Sequence, residues 1–90
     1  MILDVFLKLS RIAVRRSVAQ QLCDAGLVSL NGTPAKSSKE VSVGDELQIT
    51  KGPLTRTYRI EKVPSAKQVS RSESGTLYTL ISENSDDGAI

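Results

Sequence analysis

The 90-residue chain reads as an α+β fold, with two N-terminal helices followed by a small, mostly antiparallel sheet. Three observations carry that reading. Apolar residues recur at helical spacing as far as Cys23. Gly26 then stops the helical pattern, as a left-handed residue after a helix should. From Val28 the apolar period falls to two, around an Asn31-Gly32 pair that is the strongest short hairpin signal.

Each element follows from its own residues. Leu3, Phe6 and Leu7 stand at i, i+3 and i+4, which predicts a short amphipathic helix over residues 3–9. Asp4 falls in its first turn, where the helix dipole favours an acid. Ser10 and Arg11 make a turn. The second helix runs from Val14 or Arg15 to Ala25, with Val18, Ala19, Leu22 and Cys23 as its apolar stripe. Ser17 and Gln20 have capping-box spacing, which would move that start later. Val28 and Leu30 begin the sheet, and Pro34 after the hairpin turn implies an edge or an irregular return strand. Val43-Gly44-Asp45 is a turn. Residues 46–51 alternate as a strand with Leu47 and Ile49 inward, and Gly52-Pro53 turns again. Residues 54–63 read as a long strand with Tyr58 and Ile60 inward, ended by Pro64. Residues 65–75 read as a mobile polar loop and 77–81 as a last strand.

The expected organisation is one domain over 1–81, with a core motif at about 2–50 and a strand extension at 54–81. Residues 82–90 read as an acidic, disordered tail. The charge divides accordingly. Residues 1–72 hold all twelve Lys and Arg against six acids, whereas residues 73–90 hold four acids and no base. A basic body raises the case for an anionic partner. Phe6, Tyr58 and Tyr78 are the only aromatics, too few for an array of base-stacking platforms. Cys23 is alone and His is absent, which fits a reducing cytoplasm and leaves no disulfide framework or cysteine metal cluster. The apolar start is short, carries Asp4 and has no basic n-region, so it does not read as a signal peptide. No stretch has the roughly 20 apolar residues of a membrane span.

Two groups of residues could carry function. Lys8, Arg11, Arg15 and Arg16 cluster around the turn between the helices, on the side opposite Leu3, Phe6, Val18 and Leu22. Arginine grips phosphate oxygens bidentately, and a helix start adds free N–H groups. Lys36, Ser38 and Lys39 follow the hairpin and could extend a phosphate track. On the residues alone, a solvated helix face and plain hairpin chemistry stay open as readings of the two groups. Catalysis is not expected. The missing His excludes a Ser-His-Asp or Cys-His arrangement, and Asp45/Glu46 and Asp86/Asp87 read as solvated turn and tail acids. No metal or other cofactor is expected. Cys23, on an apolar face, reads as an inert core thiol.

The residues fall in a known order. Leu3-Asp4, Phe6-Leu7, Ser10-Arg11, Arg15-Arg16, Ala19, Gly26, Val28, Leu30-Asn31-Gly32, Lys36, Ser38, Val41 and Gly44-Asp45 together resemble the S4-type RNA-binding module, or alpha-L motif. The resemblance implies a non-enzymatic protein that binds ribosomal RNA of the large subunit, and tRNA, through Arg11, Arg15, Arg16 and Lys36. With no catalytic domain attached, the chain looks like the free-standing members. One group comprises ribosome-associated quality-control factors that act on stalled large subunits. The other is the ribosome-associated heat-shock protein fifteen, which binds large subunits carrying stranded peptidyl-tRNA. The short acidic end is more similar to the quality-control group. A cytoplasmic monomer with no membrane partner is expected. The chain departs from the family pattern at Ile2, Val5 and Val14, where basic residues are usual. Other readings are an adaptor that pairs through an exposed strand edge, and a DNA-binding helix pair.

Overall fold

A computed structural model describes residues 1–65 and 68–85. Leu3–Leu9 form helix α1 and Arg16–Asp24 form α2. Strands β1 (Val28–Leu30), β2 (Thr33–Pro34), β3 (Glu46–Lys51) and β4 (Leu54–Ile60) follow. A short helix α3 (Arg71–Ser74) and strand β5 (Tyr78–Ser85) complete the described chain. The five strands make one antiparallel sheet in the order β2-β1-β3-β4-β5.

The two helices bury one stripe each. Leu3, Phe6 and Leu7 of α1 and Ala19 of α2 are fully enclosed and share a core with Val28, Leu47, Ile49, Tyr58 and Ile60 of the sheet. Burying each large side chain contributes about 1.5–3 kcal/mol, so this stripe is what docks α1. Neither helix has a side-chain cap at its start. Instead the Leu3 and Asp4 N–H groups donate to the carbonyls of Lys39 (2.8 Å) and Ser37 (3.0 Å). The loop after the hairpin thus supplies the acceptors that a free helix end lacks. At the other end of α2, Gly26 takes φ 75°, and Leu27 and Gly26 donate to Leu22 and Cys23, closing the turn as a Schellman motif.

Asn31 and Gly32 both have positive φ (52° and 85°), the geometry of a type I′ turn. The Asn31 side chain also ties this turn to β3, accepting from the Glu46 N–H at 2.9 Å and donating to Asp45 at 3.1 Å. Pro34 lies on the edge strand, as its missing N–H requires.

Four expectations need correction. The second helix starts at Arg16 with no capping box, because the Gln20 side chain donates elsewhere, to Asp4. Strand β4 stops at Ile60 rather than 63, since the Glu61 and Lys62 N–H groups both turn to the Leu77 carbonyl. The polar stretch expected as a mobile loop contains α3, whose Ser70 hydroxyl caps the Glu73 N–H at 3.2 Å. Residues 82–85, expected within a disordered tail, belong to β5, which pairs with the whole of β4 from Ile60–Tyr78 to Leu54–Ser85. Their polar side chains suit a strand whose stability comes from its partner's ladder rather than from burial. The rest of the expected tail, 86–90, and residues 66 and 67 of the expected loop lie outside the described residues.

Candidate nucleic-acid interface

The turn between α1 and α2 holds the first basic group. Lys8 ends α1's exposed face, Arg11 sits in the turn, Arg15 precedes α2 and Arg16 opens it, and all four are exposed. Lys8 and Arg11 line one open cleft of about 410 Å³ together with Val14 and Val69. Arg11 holds φ 62°, an uncommon conformation for a residue with a Cβ. The turn is fixed around it: the Arg11 N–H donates to the Lys8 carbonyl and the Ala13 N–H to that of Leu7, both at 3.0 Å. Such strain persists where the surroundings over-determine it, and it concentrates at functional sites.

The second basic group lies on the loop after the hairpin. Lys36, Ser38 and Lys39 line a shallow hollow of about 510 Å³ beside Asn31 and Thr33. This loop is the same segment that caps α1, so it is held against the start of that helix.

Asp4, the acid in the first turn of α1, does more than face the helix dipole: it joins the two groups. Its side chain is fully buried. One carboxylate oxygen, Oδ2, accepts from Arg16 Nε at 3.1 Å and from Gln20 Nε2 at 2.8 Å. Its N–H is held by the Ser37 carbonyl next to Lys36 and Ser38. A buried carboxylate requires such partners, because an unpaired one would carry the full desolvation cost. The Arg16 side chain remains 54% exposed, so the bond from below fixes Nε while the outer face of the guanidinium meets solvent. A fork held in one orientation loses less freedom when it meets a phosphate. The signal was present in the sequence: Asp4 sits among Leu3, Phe6 and Leu7 on the buried side, where an acid needs a partner.

Lys8, Arg11, Arg15, Lys36 and Lys39 carry no ion pair among the described residues. Glu83, expected in a disordered acidic tail, instead accepts from Arg56 Nε at 2.7 Å on the neighbouring strand. Burial, with Asp4 and Asp24 nearby, pushes the Cys23 thiol up to about 11, so it stays protonated and unreactive at neutral pH.

The S4 domain pattern matches residues 2–47, which span both basic groups and the Asp4 bridge between them. The chain belongs to the S4 domain family. Within that family it is similar to the RQC P-site tRNA stabilizing factor of Bacillus subtilis (strain 168), with 36% identity over 90% of this chain and 92% of the relative. The factor of the same name from Halalkalibacterium halodurans is 40% identical over 90% of both chains. The chain is therefore an S4 protein of the RQC P-site tRNA stabilizing factor family. Among solved structures, the trimeric heat shock protein 15 of Vibrio cholerae superposes with a TM-score of 0.80 at 32% identity, covering 90% of this chain and 81% of that one.

The departures from the S4 pattern differ in consequence. Ile2 and Val5 are half-buried, and Val5 packs against the core. Val14 is 82% exposed and lines the cleft beside Lys8 and Arg11, so it leaves an apolar spot inside the basic face. No helix among the described residues is long and apolar enough to cross a membrane.

Proposed function

We propose that this S4 protein binds structured RNA of the large ribosomal subunit, next to tRNA, as a non-catalytic factor in the quality control of stalled ribosomes. One observation carries the reading: Asp4 ties Arg16 to the loop bearing Lys36, Ser38 and Lys39, so the two basic groups form one braced surface. The names of the relatives support the ribosomal setting. The unpaired cations read phosphate geometry, since the deep groove of A-form RNA excludes side chains. Neutralising four to six phosphates gives log affinity a slope of roughly −3 to −5 against log salt. The working unit is one chain, acting in the cytoplasm without a cofactor.

The test is co-sedimentation with purified ribosomal subunits at low and high salt. Arg15→Glu is the cleaner variant, because Arg16→Glu would set a second carboxylate against buried Asp4 and strain the fold. Enrichment on the large subunit that salt and Arg15→Glu both abolish is the expected result. Binding indifferent to both would sink the proposal. The likeness to heat shock protein 15 favours a second reading, recycling of large subunits that carry peptidyl-tRNA. Equal binding to large subunits with and without tRNA would argue against either role. A third reading, an adaptor, draws on the outer edge of β5, where Leu80 and Ile81 are exposed.

A further inference from the structure

A second hollow lies on the helix-facing side of the sheet, where α1 and α2 no longer cover it. Register explains its composition. Ile49 pairs with Arg56, and Lys51 with Leu54, so these residues share a face with the buried pair Leu47 and Tyr58. The inner row is closed over by the helices, whereas the row toward the β3–β4 turn runs out beyond them. The result is a pocket of about 170 Å³ between the Arg11–Ile12 turn and the β3–β4 hairpin. Its apolar wall is Ile12, Ile49 and Leu54. Tyr58 and Tyr78 form its aromatic side, packed edge to face with ring centroids 5.1 Å apart. Arg11, Lys51 and Arg56 stand around it, all exposed.

An apolar, aromatic pocket with a cationic rim suits a ligand with a flat, weakly polar body and an attached anion. A nucleotide has that form: the base takes the apolar and aromatic contacts, and the phosphate takes the cations. Single-stranded RNA bases splay out and are held in this way on aromatic side chains and guanidinium planes. Arg11 also lines the cleft with Lys8 and Val14, so the pocket adjoins the basic face. Two of the chain's three aromatics meet here, while the third, Phe6, is sealed in the core. One pocket is compatible with a chain too poor in aromatics for a stacking array.

We propose that this pocket takes one unpaired ribonucleotide of the bound RNA, its base against Tyr78 and its phosphates on Arg11 and Lys51. The idea rests on the RNA-binding reading and extends the contact surface from the S4 motif onto the strands that follow it. Arg56, whose Nε is held by Glu83, contributes its remaining N–H groups to the rim.

The test is a titration of the isotopically labelled full chain with adenosine 5′-monophosphate, followed by NMR. Saturable shifts at Ile12, Ile49, Tyr58 and Tyr78 are expected, with affinity about tenfold weaker in Lys51→Glu, an exposed position where the charge change spares the core. A trinucleotide should bind more tightly than the mononucleotide, because its flanking phosphates reach the basic face. Any of four results overturns the proposal: no saturable shift at those residues, full reproduction of the shifts by inorganic phosphate, no effect of Lys51→Glu, or tighter binding of the mononucleotide than of the trinucleotide. Ribosome binding indifferent to both salt and Arg15→Glu would defeat the RNA-binding reading while leaving these shifts in place, so the two failures are distinguishable.

Discussion

Lys8, Arg11, Arg15, Lys36 and Lys39 stand exposed with no ion pair among the described residues, whereas Arg56 and Arg59 on β4 each donate to a carboxylate, Glu83 at 2.7 Å and Glu61 at 3.2 Å. The outer strands thus neutralise their own arginines, and the helical end leaves its cations uncompensated. Arg16 is a third case, held at Nε by a buried acid yet open to solvent. Charge count alone would treat all of these residues alike. What separates them is whether a carboxylate partner is present among the described residues.

The largest effect should come from removing uncompensated charge. Arg15→Glu combined with Lys36→Glu should flatten the salt slope of large-subunit binding by about two and weaken low-salt affinity by roughly 100-fold. An unchanged slope would mean that these cations do not meet phosphates. Asp4→Asn probes the braced case. Losing charge-assisted bonds to Arg16 and Gln20 should lower the unfolding free energy by about 1.5–3 kcal/mol in urea titrations, with weaker ribosome binding as Arg16 loses its orientation. Full stability in that variant would show that the buried carboxylate is not a brace. Arg11→Gly should separate fold from function. Releasing φ 62° should raise stability by about 0.5–1 kcal/mol while binding falls, and a destabilised variant would contradict the strain argument. The smallest effect belongs to Arg59→Ala, expected within about 0.5 kcal/mol in stability and about twofold in binding. A loss matching that of Arg15 would erase the distinction between the two regions.

Much of this was legible along the chain. The period of Leu3, Phe6 and Leu7 gave the first helix its limits, Gly26 ended the second, and Asn31-Gly32 made the hairpin. That both basic groups lie exposed was also readable, because charged side chains stay in water unless paired. The strand ends and α3 are less legible. Ser70 and Glu73 have the spacing of a capping box, and the surrounding polar composition masked it. Ser82–Ser85 resemble a loose tail until β4 is seen beside them with an open edge.

The sequence by itself determined the elements whose cause lies within a few residues: apolar periodicity, positive-φ turn residues and the placement of exposed charge. Tertiary structure decided what depends on residues far apart in the chain. It set Asp4 against Arg16, brought the Ser37 and Lys39 carbonyls onto α1, and placed Lys51, Tyr58 and Tyr78 around one hollow beside Arg11. The physical reason is that a buried carboxylate, an open helix end and an unpaired strand edge each state a need for a partner, and only the folded chain determines which residue meets it.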